Sequence, residues 1–201
     1  RQYFITGLQQ ILFFILFVYV LFNLFWGLNY NRKGIARQLG LEVKQYTIQD
    51  LDTLTSVIQE RVNYYAGMVT EAQRDSFDRK KTLFHSAVAA YKQAALQFPF
   101  LTYRNPSIKP SLFSYLGNYL GFQGYYNPFS GEAQVNTTVP RFLEPYVTAH
   151  EMAHQLGYAK ENEANFVGFL ACRSYDNPAF RYSAYYDMYN YALTEVYLRD
   201  T

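Results

Sequence analysis

With 201 residues, half of them hydrophobic, the chain has room for one ordinary domain plus an appendage and enough apolar material for a sizeable core. Charged residues make up 17% against 19% aromatic, with 21 Tyr and 17 Phe, a bias that suits a protein at or near a membrane. The net charge of +2 gives no argument for nucleic acid as a partner, and the single Cys172 excludes an internal disulfide and a cysteine-based zinc site.

The first predicted element is the run ILFFILFVYVLFNLFWGL from Ile11 to Leu28, broken only by Asn23 and Gly27. Roughly 18 uncharged residues are about the minimum for crossing a hydrocarbon core, so a transmembrane helix is expected over about 11–28, within an anchor of residues 1–31. Trp26 and Tyr30 at its end fit an interfacial aromatic belt. Arg32, Lys33 and Arg37 outnumber the single Arg1 before the span, which taken alone puts the following domain, residues 32–201, in the cytoplasm. The chain opens on Arg1 rather than Met and is expected to be a fragment.

Two helical blocks follow. Ile48, Leu51, Leu54, Val57, Ile58, Val62 and Tyr65 recur at helical spacing over 47–68, and Thr47 with Asp50 resembles a capping box. A second block runs from about Ser76 to Phe98 and stops at Pro99. His85 within it has no acidic or histidine partner at i+3 or i+4 and reads as an ordinary histidine. From Pro106 the texture turns to Pro, Gly, Ser and Tyr. A hairpin is expected, with strands near 122–126 and 132–138 joined at 127–131.

The stretch HEMAHQLGYAKENEANF, His150 to Phe166, carries the chemistry. Pro145 suits the first turn of a helix and Gly157 its end. His150 and His154 then lie one turn apart on one face, the geometry in which two imidazoles bind one zinc ion. Glu151 is rotated about 100° from His150, beside the metal and placed as a base toward an attacking water. A catalytic zinc takes three protein ligands, and Glu161 or Glu163 is the third. Glu161 is preferred, because Asn165 stands four residues on along the same face and is expected to hydrogen-bond a ligand histidine. The helix after Asn177-Pro178, dense in tyrosine, reads as core or membrane-facing packing, and Cys172 as a small buried residue.

H-E-x-x-H followed by E-x-x-A-N looks like the gluzincin side of the zinc metallopeptidases. Matched residue by residue, the resemblance implies His150, His154 and Glu161 on Zn2+, Glu151 as catalytic base, and Asn165 where many such families have Asp. The gap from His154 to Glu161 is much shorter than in thermolysin-like members. The wider chain resembles a family of bacterial membrane-anchored proteins with a predicted zinc-peptidase domain, known by its motif rather than by an assigned substrate. That likeness is carried by LFWGLNY (Leu24–Tyr30), GYYNPFSGEAQVN (Gly124–Asn136) and FRYSAY (Phe180–Tyr185). It implies further spans upstream. With an odd total, the catalytic domain would lie outside the bacterial inner membrane, against the local charge count.

The expected fold is mainly α (α+β): an N-terminal transmembrane helix, then a zincin-like helical domain with a small β-hairpin or sheet beside the active-site helix. The expected function is a membrane-anchored zinc-dependent endopeptidase acting on a peptide or protein, with membrane lipid around its N-terminal helix. The strand at 132–138 is expected to pair with an extended substrate, and Tyr158, Arg181 and Tyr182 are candidate oxyanion donors. The rival is a non-catalytic zinc-binding membrane sensor or interaction module. The intact Glu151 argues against it, since a structural zinc needs no base and is usually closed by a fourth ligand. A second rival is a membrane structural protein in which the motif is accidental.

Overall fold

A computed structural model describes residues 2–199; Arg1, the one charge counted before the apolar run, lies outside the described residues. Helix α1 (Gln2–Phe25) contains a 21-residue window, Ile5–Phe25, of mean hydropathy 2.2 with none of it buried against the rest of the chain. This N-terminal helix is long and apolar enough to span a membrane. Asn23 does not break it, because its side-chain amide donates to the Tyr19 carbonyl one turn back at 2.9 Å. The helix stops three residues before the expected Leu28. Trp26 turns inward to bury its ring, and the backbone passes into a tight 3-10 turn, Gly27–Asn31.

After a single turn, α2 (Ile35–Gln38), the capping box at Thr47 and Asp50 forms as expected and opens α3 (Ile48–Ala66). The block expected over 76–98 is α5 (Lys80–Gln97); a break at 77–79 separates it from the short α4 (Glu71–Ser76). The break inserts Phe77 into the core, edge-on to Phe180 at 5.6 Å. Within α5, Leu83, Ala87, Ala90, Tyr91 and Ala94 form one buried face, while His85 is exposed.

The sheet has three strands: β1 (Ile108–Pro110), then, after the short α6 (Ser114–Leu120), β2 (Gly124–Asn127) and β3 (Glu132–Val135). The order is β1-β3-β2, with β1 parallel and β2 antiparallel to β3. The expected hairpin is β2–β3; β1, only three residues ending in a proline, carries no periodicity to read. Ala133 and Val135 of the central strand are buried.

Helix α7 (Glu144–Gln155) lies at the centre, packed on β2, β3, α5, α8 (Glu161–Ser174) and α9 (Pro178–Arg199). Tyr91 of α5 donates its hydroxyl to the Ala149 carbonyl at 2.7 Å, satisfying a buried phenol. Cys172 is buried. The chain is therefore a mainly helical α+β fold with an N-terminal apolar helix and a small sheet beside the histidine helix. Almost every residue of α7 is buried, Glu144, Glu151 and His154 included. Burying such groups is costly unless they are paired or used.

Candidate metal centre

The end of α7 is built to hold His154. Pro145 sits in the first turn and Leu156 is the C-cap. Gly157 follows at φ +90°, a left-handed conformation that suits glycine. Its N–H donates to the His154 carbonyl at 2.8 Å and the Tyr158 N–H to the Ala153 carbonyl at 3.2 Å, the pair of bonds of a Schellman cap. The cap turns the Tyr158 carbonyl back toward the helix, where it lies 2.7 Å from His154 Nδ1. That contact calls for a proton on Nδ1 and leaves the Nε2 lone pair free.

Helix α8 starts a few residues later and brings Glu161 across from the histidines. His150 Nε2 and His154 Nε2 are 3.1 Å apart, and Glu161 oxygens lie 3.3 and 3.5 Å from them. Ligands bonded at 2.0–2.1 Å around a tetrahedral ion are about 3.3 Å from one another. Two neutral nitrogens and one carboxylate at those separations fit a zinc ion, with a fourth position left open. Glu163 points elsewhere, toward Lys160 at 3.7 Å and the Gly34 backbone.

Glu151 is 3% exposed, and one of its carboxylate oxygens is buried without a hydrogen-bond partner. Burial pushes its pKa up to about 7, against the pull of His150 and His154. The strand wall crowds it closely. A Cβ on Gly124 of β2 would stand 2.5 Å from the Glu151 carboxyl carbon, so only glycine leaves the carboxylate its place. Glu161 is exposed, and the facing imidazoles of His150 and His154, when protonated at Nε2, hold its carboxyl well below the usual carboxylate range. Burial works to lower the pKa of His154, but the bond to Glu161 and the charges of Glu151 and Glu161 outweigh it and the net shift is upward.

A cavity of about 500 Å³ opens over this cluster, walled by β2, α7, the start of α8, α9 and the turn after α1. His150, Glu151, His154, Glu161 and Asn165 all line it. Asn165 has partners other than those expected. Instead of meeting a ligand histidine, it accepts from the Tyr146 hydroxyl at 3.2 Å and donates to the Tyr191 hydroxyl. Its side chain is held by two tyrosines, one from α7 and one from α9. Asp187 of α9 also lines the cavity, with its pKa raised by burial against a hydrogen bond from Tyr146 and the charge of His150.

The three suggested oxyanion donors lie outside this lining. Tyr158 bonds to Gln38 beneath the Arg32 guanidinium, Arg181 pairs with Asp176, and Tyr182 packs on Phe142. Asp187, Tyr191 and Gly124 were not read from the sequence as site residues. The one signal was an acid alone in the aromatic run AYYDMYNY, a poor choice for plain packing.

No curated protein and no solved structure matches the chain. A family match does cover its full length, residues 1–201, and the chain belongs to that family, described as "Protein of unknown function (DUF3810)".

Proposed function

We propose that the chain is a membrane-anchored zinc-dependent peptidase of gluzincin type, with His150, His154 and Glu161 as the metal's ligands and Glu151 as general base. The observation that carries the reading is a carboxylate, buried and short of a partner, beside three convergent donors that face an open cavity. Zinc bound there would supply Lewis-acid activation of a water and of the peptide carbonyl. Glu151, with its pKa raised toward neutrality, takes a proton from the attacking water and returns it to the leaving amine. Tyr191 accepts from Asn165, which leaves its own hydroxyl proton for a developing oxyanion.

The substrate strand pairs with β2 in this reading, not with β3 as expected from the sequence. β3 is the central strand and both its edges are taken, whereas β2 is an edge strand whose residues line the cavity. The reading includes a catalytic domain on the outer side of the bacterial inner membrane, which protease accessibility in spheroplasts tests.

The sensor reading has less support, because the convergent group offers three ligands among the described residues and leaves room for a reactant. Elemental analysis separates the cases. About one zinc per chain in the parent, none in His150→Ala/His154→Ala, and peptide turnover lost at least ~100-fold in Glu151→Gln with zinc retained is the expected pattern. Zinc retained without turnover of any peptide in the parent would favour the sensor.

A further inference from the structure

We infer that the cleft takes the membrane-proximal stretch of a membrane-anchored polypeptide and acts on it about three to five residues outside the bilayer; this rests on the peptidase reading and on α1 crossing a membrane. The end of α1 is part of the cavity itself. Trp26, the residue directly after the helix, lines the cavity with its ring 4.6 Å from Tyr126 of the strand wall and edge-on to ligand His154 at 6.0 Å. Tyr30, one turn further on, lines it as well.

The junction is fastened at several points. Arg32 donates to the Leu156 carbonyl at 2.6 Å and stacks over Tyr158, at the very cap that holds His154. Asn29 and Arg32 press so closely on Gly157 that a Cβ there would meet them at 3.0 and 2.8 Å. Phe25 meets Phe129 of the β2–β3 turn with ring centres 6.0 Å apart. The bilayer end of α1 is therefore fastened directly to the end of α7 that carries His154.

Distance then limits the substrate. One residue and one ring contact separate the end of the apolar helix from His154, so the ligand group lies roughly 10–15 Å from the hydrocarbon edge, in or just beyond the headgroup zone. An extended chain advances about 3.3 Å per residue, so a chain leaving the bilayer reaches the group in about three to five residues. A substrate held in the same membrane arrives at high effective concentration, and one without an anchor forgoes that gain. The approach is also suited to an interface. The chain leading into the strand wall exposes Leu112, Leu116, Tyr119 and Leu120 on and around α6, and the exposed Tyr30 at the cleft mouth favours the headgroup level.

The test uses the full chain in phosphatidylethanolamine/phosphatidylglycerol vesicles. Trp26 is the only tryptophan, so fluorescence excited at the long-wavelength edge of the indole band, beyond the absorption of the 21 tyrosines, reports on this junction alone. Its emission is expected to be quenched by Co2+ in the parent but not in His150→Ala/His154→Ala. Lipids brominated near the headgroup end of the acyl chain should quench it more strongly than lipids brominated at the bilayer centre. Absence of lipid quenching overturns the inference, whatever the activity. The second arm presents one cleavable sequence on a transmembrane anchor with spacers of about 4 or about 20 residues, and also untethered. Turnover about tenfold or more higher for the short spacer supports the inference. Equal turnover of all three overturns it and leaves the peptidase reading standing, and hydrolysis of none removes both.

Discussion

His154 Nδ1 lies 2.7 Å from the carbonyl oxygen of Tyr158, so the cap that ends α7 also orients the imidazole whose other nitrogen faces His150 and Glu161. On the proposed reading, helix termination and metal binding are one piece of local structure here. A change made to the turn should be felt at the metal.

Gly157→Ala tests that coupling. A side chain at φ +90° is strained, and its Cβ would also meet Arg32 at 2.8 Å. A loss of about 1–2 kcal/mol in stability is expected, together with zinc affinity weakened about tenfold. Thermal unfolding and competition with a chromophoric chelator measure the two. Unchanged zinc affinity in a destabilised protein would uncouple cap from ligand.

Gly124→Ala should separate metal from chemistry. Its Cβ would occupy space 2.5 Å from the Glu151 carboxyl carbon and would displace the base, while His150, His154 and Glu161 are untouched. Zinc content is expected to stay at parent level and peptide turnover to fall about 100-fold. Turnover at parent level would remove Glu151 from the reaction.

Asp187→Asn probes the carboxylate on α9, which bears on both His150 and Tyr146. Loss of that charge is expected to weaken zinc binding about tenfold without unfolding the chain. Isothermal titration with zinc alongside circular dichroism distinguishes this from simple destabilisation.

Lys80 and Glu144 supply a pH-dependent prediction away from the cleft. Glu144 is 1% exposed and pairs with Lys80 at 2.5 Å. Burial raises the Glu144 pKa and Lys80 pulls it back. In Lys80→Ala the folded state therefore holds the Glu144 proton to higher pH than the unfolded state does, so stability falls as pH rises above the ordinary carboxylate range. A loss of about 3 kcal/mol near pH 8, shrinking toward pH 4, is expected in urea unfolding. A loss independent of pH would mean that packing, rather than charge, is what Lys80 supplies.

The parts legible in the sequence were those governed by local rules. The capping box at Thr47, the hairpin around 127–131, the stop at Pro99 and the turn at Gly157 each rest on a few neighbouring residues. Placing His150, His154 and Glu161 together needed only helical spacing and one short turn. What stayed hidden depends on distant packing. Phe77, between α4 and α5, meets Phe180 across the core. Three-residue β1 becomes a strand only because β3 runs beside it. The partners of Asn165 come from α7 and α9, and no pattern within α8 shows them.

The three donors lie within a single twelve-residue stretch, His150 to Glu161, whereas the surroundings of Glu151 draw on Gly124 and the cleft mouth on Trp26. On the proposed reading, the two capabilities therefore ask different things of the chain. A grip on the ion needs one corner between two helices, built from residues near in sequence. Cutting needs, in addition, the strand and the anchor closed around that corner. A substitution in the strand or the anchor can then silence the protein and leave the ion in its hands.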